Sequence, residues 1–169
     1  MILLLTSCGQ SLKTSDNTTV KIPTDTSSLP TTTLTADSID MKYDNALTFI
    51  NGYVDNCNKM NKAIDMLDWV NSNNLTTNDF KSDLKRILDE ANEKEPGVGL
   101  DFDPILDAQD FPDKGFELES ADQTTNYLVL RGKDWHDFKL TIKVVEENGV
   151  WLVDGCGIIN IPTDKIGER

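Results

Sequence analysis

The chain has 169 residues and a formal net charge of −13 at pH 7, from 29 acidic and 16 basic side chains. A surface this acidic repels nucleic acid and anionic lipid and attracts cationic partners, so the composition argues against nucleic-acid binding. The single histidine in the sequence also excludes a zinc site built from several histidines.

The chain begins with an apolar run, Ile2 to Leu5, which is followed by Thr6-Ser7-Cys8-Gly9. This pattern resembles the lipobox of bacterial lipoproteins, and the resemblance implies cleavage before Cys8, a lipid anchor on that cysteine and a place in the cell envelope. A secretory signal normally carries a basic start and an apolar stretch of about 7–15 residues. We therefore expect residues 1–8 to be a signal whose start is truncated. The alternative is a cytoplasmic N-terminus that happens to contain a cysteine.

Residues 9–37 are almost all small and polar, with thirteen serines and threonines and two prolines. Such a segment cannot bury enough apolar surface to offset its ordering entropy, which predicts a disordered tether or an O-glycosylated stalk. Its first residues, Gly9-Gln10-Ser11-Leu12, include no acidic side chain. Acidic residues after the cysteine mark some lipoproteins for sorting or export, so we expect an outer-membrane lipoprotein that faces the periplasm.

Residues 38–169 have the size of one domain, and their first half has helical periodicity. The first predicted helix buries a stripe that consists of Ala46, Phe49, Ile50, Tyr53, Val54, Cys57 and Met60. A shorter helix is predicted to carry Ile64, Leu67, Trp69 and Val70. A third is expected to begin at Thr76 or Thr77, to end at Pro96-Gly97 and to bury Phe80, Leu84, Ile87, Leu88 and Ala91.

The second half has the pattern of strands. Short strands are predicted over residues 116–120 and 127–131, and the alternation over residues 138–144 predicts a half-buried strand. Asn148-Gly149 predicts a type I′ hairpin turn into a last strand at Val150. Helices followed by an antiparallel meander indicate an α+β fold, in which three helices cover one face of a curved, four-stranded antiparallel sheet.

Four segments point to a family: Phe49-Ile50-Asn51-Gly52-Tyr53, Leu100-Asp101-Phe102-Asp103-Pro104, Ala108-Gln109-Asp110 and the strand that contains Trp151. They resemble an uncharacterised bacterial family of exported proteins and lipoproteins with the nuclear-transport-factor-like, or cystatin-like, cone fold. The resemblance covers residues 38–162. It implies a cone but no activity, because this fold serves isomerases, dehydratases, adaptors and binding modules alike.

Cys57 and Cys156 form an even pair if Cys8 is acylated, and the envelope is an oxidising compartment. In a cone fold their helix and strand can pack together, so a Cys57–Cys156 disulfide is predicted. The alternative is two buried free thiols. Neither cysteine has zinc or Cys-x-x-Cys spacing.

The lone His136 lies in a polar loop, and no Gly-x-Ser-x-Gly motif supplies a nucleophile, so no catalytic residue and no cofactor are predicted.

Twelve carboxylates and only two lysines lie between Asp89 and Asp122. The most closely spaced of these carboxylates belong to Asp101, Asp103, Asp107 and Asp110. They could supply oxygen ligands to calcium, although their spacing does not match the Asp-x-Asp-x-Asp-Gly pattern of a calcium loop. The structural alternative is that Asp103 caps a turn before Pro104 and that the segment around Pro112 is a tight turn. We also predict a partner-binding face formed by Asp101, Asp103, Asp107, Asp110, Asp113 and Trp135, since Trp135 is an aromatic residue in a polar loop.

The favoured function is therefore a non-enzymatic envelope lipoprotein that binds a protein partner or a small apolar ligand. One alternative is an inhibitor or immunity protein against a basic envelope enzyme such as a lysozyme, which acidic–basic steering would favour. The other is an enzyme that uses Asp or Tyr acid–base chemistry inside the cone, and it requires an open apolar pocket with a convergent carboxylate.

Overall fold

The structure is a computed structural model that describes residues 36–167. Its helices are α1 (Ala36–Cys57), α2 (Met66–Ser72) and α3 (Asn78–Lys94), and its strands are β1 (Phe116–Asp122), β2 (Tyr127–Gly132), β3 (Lys139–Glu147) and β4 (Val150–Cys156). The strands form one antiparallel sheet in the order β1-β2-β3-β4. The α+β class and the order of elements are as predicted. The predicted signal, Cys8 and residues 9–35 of the predicted tether lie outside the described residues.

Helix α1 packs on the sheet against β1, β3 and β4. Its apolar stripe is buried as the periodicity predicts, through Ala46, Phe49, Ile50, Tyr53 and Val54. The expected continuation of the stripe to Met60 is wrong. The helix ends at Cys57, and Met60 has a positive φ of 53° in a short 3-10 turn, where it is 82% exposed. Once the helical period is broken, residue 60 no longer lies on the face that the stripe buries.

Side-chain caps fix the starts of the two shorter helices. Asp65 accepts hydrogen bonds from the N–H groups of Leu67 and Asp68, and it begins α2 after Ile64, which is half exposed rather than part of the helix. Thr77 is the N-cap of α3, since its Oγ1 accepts the N–H of Phe80 at 3.0 Å. The predicted start of α3 is thus confirmed.

The link between α2 and α3 covers one edge of the sheet. Val153 N–H donates to the Leu75 carbonyl at 2.7 Å, and Thr77 N–H donates to the Val153 carbonyl at 3.0 Å. An uncovered edge strand is a template for unwanted pairing with another chain. This link therefore protects β4 as well as connecting the helices.

The hairpin between β3 and β4 has the predicted turn, because Asn148 and Gly149 have φ values of 52° and 80°. The strands bury Leu128, Leu130, Leu140, Ile142, Val144 and Val153.

The C-terminal segment crosses the opposite face, where Thr141 Oγ1 donates to the Lys165 carbonyl at 2.7 Å. Thr141 is therefore 5% exposed, although its position in the alternating pattern is polar. Across residues 36–167, no helix is long and apolar enough to cross a membrane.

Candidate binding surface

Two loops meet beside the sheet: the connection from α3 to β1, and the connection from β2 to β3. Pro112 of the first loop lies against Gly132, where a Cβ atom would stand 2.4 Å from Pro112 Cγ. Lys133 N–H donates to the Gly115 carbonyl at 2.9 Å, and Lys114 N–H donates to Asp134 Oδ1 at 3.2 Å. The structure thereby brings part of the predicted acidic face next to the loop that carries Trp135.

A groove of about 340 Å³ lies between these loops, and its walls are Ala108, Gln109, Asp110, Trp135, Asp137 and Phe138. Trp135 is 47% exposed, whereas Phe138 is buried beneath it. The two rings meet edge to face, with centroids 5.2 Å apart and an interplanar angle of 65°. This contact supports the indole ring while leaving part of it open to solvent.

A second cleft of about 720 Å³ adjoins the groove and shares Asp110 with it; its other lining residues are Cys57, Asn58, Met60, Phe111 and Asp113. Asn58 Nδ2 donates to the Asp113 carbonyl at 2.8 Å, which ties the end of α1 to the acidic loop. We call the two clefts together the acidic aromatic surface, defined by Met60, Asp110, Phe111, Asp113, Trp135 and Asp137. Sequence reasoning missed Met60, Phe111 and Asp137. Met60 was assigned to the core, Phe111 was considered only as part of a tight turn, and Asp137 was one charge among many.

Asp103, in contrast, contributes to the interior and not to this surface. Its Oδ1 accepts the N–H groups of Ile105 at 2.8 Å and Leu106 at 3.0 Å, which confirms the predicted cap. Its Oδ2 accepts the hydroxyl of Tyr53, a buried residue of α1, at 2.5 Å. One carboxylate oxygen therefore caps the local turn, and the other attaches the acidic loop to α1. Asp101 is exposed and Asp107 is partly buried, but neither lines the groove or its neighbouring cleft.

Burial dominates the electrostatics around Asp103. Desolvation raises the pKa of the Asp103 carboxyl, and its hydrogen bonds oppose that shift. Desolvation also raises the pKa of Tyr53, and the Asp103 charge adds to that shift. The pKa values of the Cys57 and Cys156 thiols are raised by burial and by the same carboxylate. Both thiols are thus held in their protonated, weakly nucleophilic form.

Cys57 and Cys156 are free thiols, so the predicted disulfide is not formed in the structure. The Cys156 thiol is fully buried and donates to the Ile105 carbonyl at 3.3 Å. Cys57 is half-buried and lines the second cleft. The structure therefore matches the alternative of two free thiols.

The calcium hypothesis finds no support in the geometry. Among residues 36–167, no group of three or more histidine, cysteine or acidic side chains is placed to hold a metal ion. Asp103 interacts with Tyr53 and the turn, while Asp110 lies in the groove. Of the four candidate aspartates, Asp103 thus caps a turn, as the structural alternative predicts.

A third cleft, of about 500 Å³, lies between α3 and β4 and was not predicted; it is lined by Asp79, Ser82, Asp83, Arg86, Lys143, Asp154 and Asn160. Most of its charges are paired with each other. Lys143 Nζ lies 2.7 Å from Asp154 Oδ2, a contact that raises the pKa of Lys143, and Arg86 Nη2 lies 2.5 Å from Asp83 Oδ1. No sequence signal reveals this cleft, because its residues come from α3, from the β3–β4 hairpin and from the segment that follows β4.

The acidic aromatic surface, with its exposed indole ring, is therefore the strongest candidate site. No family model, curated protein or solved structure matches this chain. The resemblance to the cone family stays a prediction.

Proposed function

We propose that this chain is an envelope lipoprotein whose domain binds a cationic protein partner, without catalysis, through the acidic aromatic surface. The observation that carries the proposal is the placement of the half-exposed Trp135 beside carboxylates from two different loops. Tryptophan is enriched among the residues that contribute most of the binding energy at protein interfaces. An exposed apolar patch surrounded by polar residues is typical of interaction sites.

Six acidic residues of the described part of the chain form ion pairs, and the carboxylates of this surface are not among them. Asp83, Asp154 and Glu117 each form an ion pair with a lysine or arginine. Within residues 36–167, Asp110, Asp113 and Asp137 form no salt bridge; the pairs found there involve other acids. Their charge is therefore available to a partner, and uncompensated charge at one surface steers cationic molecules toward it.

The anchor and tether complete the proposal. The segment Leu5-Thr6-Ser7-Cys8-Gly9 supports lipid attachment at Cys8 on the periplasmic side of the outer membrane. The serine- and threonine-rich residues 9–35 would separate the domain from that membrane, since residues 36–37 of the predicted tether belong to α1. Three helices that precede a four-stranded meander are consistent with the cone class. The mass of the chain purified from its own envelope tests the anchor, since Cys8→Ser should remove an acyl increment.

The enzyme alternative is less well supported by the geometry. Its candidate for a convergent carboxylate in the interior is Asp103, whose oxygens are hydrogen-bonded to Tyr53 and to two backbone N–H groups. Asp110 and Asp137 line a groove at the surface and are exposed, so neither supplies an interior acid or base. A general base needs a lone pair directed at the substrate. Inhibition of a basic envelope enzyme is a special case of the proposed binding and would use the same surface.

The proposal is tested with the full chain carrying Cys8→Ser and with a lysozyme as the basic probe. Replacing Asp110 and Asp113 by asparagine removes two unpaired charges from the surface. We expect roughly tenfold weaker binding at low salt and a smaller loss at high salt, because exposed charges separated by more than about 10 Å are screened at 0.1 M. Isothermal titration calorimetry at two salt concentrations measures both effects.

The matched control is the double change Glu146→Gln and Glu147→Gln. It alters the net charge equally, at two exposed residues of the β3–β4 hairpin. An equal loss of affinity in both double variants would show that net charge alone attracts the probe, which contradicts a binding surface at Asp110.

A further inference from the structure

We infer that the groove between Trp135, Asp110 and Asp137 receives an arginine side chain of the partner, an inference that rests on the proposed function and specifies its chemistry. A guanidinium group has an apolar face that stacks on aromatic rings and an edge of N–H donors that matches a carboxylate. The groove is lined by one half-exposed indole ring and by two aspartates. Few other side chains would satisfy both features together.

The size and rigidity of the groove favour a single side chain. Its volume of about 340 Å³ lies at the small end of the ~300–1,000 Å³ range of ligand pockets. The Trp135 ring makes an edge-to-face contact with the buried Phe138 ring, and Phe138 N–H donates to the Trp135 carbonyl at 3.0 Å. The ring is thus supported before binding, which reduces the entropy lost on association.

Arginine fits this environment better than lysine does. An ammonium group is a strongly hydrated point charge, whereas guanidinium is weakly hydrated and forms two parallel hydrogen bonds with a carboxylate. Ala108, Trp135 and Phe138 make much of the groove apolar, so that a bound cation loses part of its hydration. A purely apolar ligand, in turn, would desolvate Asp110 and Asp137 without offering them donors.

The charge around the groove supports a cation rather than an anion. Over residues 110–114 and 133–137 there are four aspartates against Lys114 and Lys133, a local balance of −2 with His136 neutral. Asp113 lines the second cleft, which shares Asp110 with the groove. A second basic residue of the same partner segment would therefore lie near Asp113.

Two peptides that differ only in three arginines or three lysines test the inference, each titrated into the full chain carrying Cys8→Ser. We expect the arginine peptide to bind roughly 2- to 10-fold more tightly, because lysine can also lie over the indole ring but is more strongly hydrated and lacks a planar face that stacks on it. Trp135→Leu should abolish this preference, and Trp135→Phe, which keeps an aromatic face, should retain part of it. Asp137→Asn should weaken the arginine peptide more than the lysine peptide.

Circular dichroism and thermal unfolding show that each variant is folded. Equal affinities for the two peptides, or a preference that survives Trp135→Leu, would overturn the arginine site. If Asp110→Asn with Asp113→Asn still weakened binding in that case, the proposed function would stand. No binding of either peptide would contradict both the arginine site and the proposed function.

Discussion

At the scale of single residues, Asp103 has the most consequential environment in the domain. It connects the acidic loop to the core through Tyr53 of α1 and through the N–H groups of Ile105 and Leu106. Its capping role was predictable, because an aspartate before proline is a common start of a turn. The bond to Tyr53 was not, since fifty residues separate the partners and a loop aspartate is normally exposed.

Asp103 gives a prediction about pH. Burial raises its folded-state pKa above the ordinary value of about 3.9, so the native state binds more protons than the unfolded state between those two values. The contribution of Asp103 to stability is therefore full at low pH and declines as the pH rises through the folded-state pKa. Asp103→Asn removes this titration while keeping an oxygen for the turn.

Urea unfolding of both proteins between pH 3.5 and pH 7 measures the difference. The free energy of unfolding of the native chain, relative to Asp103→Asn, should fall as the pH rises. The exposed Asp101→Asn serves as the control in the same loop. Parallel curves for the native chain and Asp103→Asn would show that Asp103 is not buried as described.

Among the helices and strands, the features that depend on neighbouring residues, such as caps and turns, were predictable from the sequence. The α3 cap at Thr77 and the Asn148-Gly149 turn follow from contacts within a few residues, and both were predicted. The packing of Pro112 on Gly132 joins two loops that are distant in the chain. No period or motif encodes that contact, which is why the residues of the predicted face could be proposed but their arrangement could not.

Gly132→Ala tests whether that packing builds the groove. The added Cβ would lie 2.4 Å from Pro112 Cγ and 2.6 Å from the Trp135 carbonyl oxygen, so one loop must move. We expect a loss of about 1–3 kcal/mol in the free energy of unfolding, as for other overpacking changes. We also expect weaker binding of the arginine peptide, measured by calorimetry.

Gly52→Ala is the matched control within α1. Its Cβ would make an ordinary contact, 3.6 Å from Trp69 Cζ2, and alanine favours a helix by about 0.5–1 kcal/mol over glycine. It should therefore preserve or increase stability and leave binding unchanged. Equal binding by Gly132→Ala and the native chain would show that the groove does not depend on the contact with Pro112.

At the scale of the whole molecule, charge and topology act together. The chain has a net charge of −13, and a dense group of its acidic residues lies in the loop between α3 and β1. The fold places part of that loop beside the exposed Trp135. Composition predicted a cationic partner, and the sequence predicted both Asp110 and Trp135. The contributions of Met60 and Asp137 could be found only once the end of α1 and the β2–β3 loop were placed in space.

The central claim is that a cationic partner binds at the acidic aromatic surface. The most direct test is a ¹H–¹⁵N NMR titration of the full chain carrying Cys8→Ser with the arginine peptide. We predict shifts concentrated at Asp110, Asp113, Asp137 and the indole N–H of Trp135. Shifts centred instead on the cleft of Asp83, Lys143 and Asp154, or spread evenly over the acidic residues, would contradict the claim.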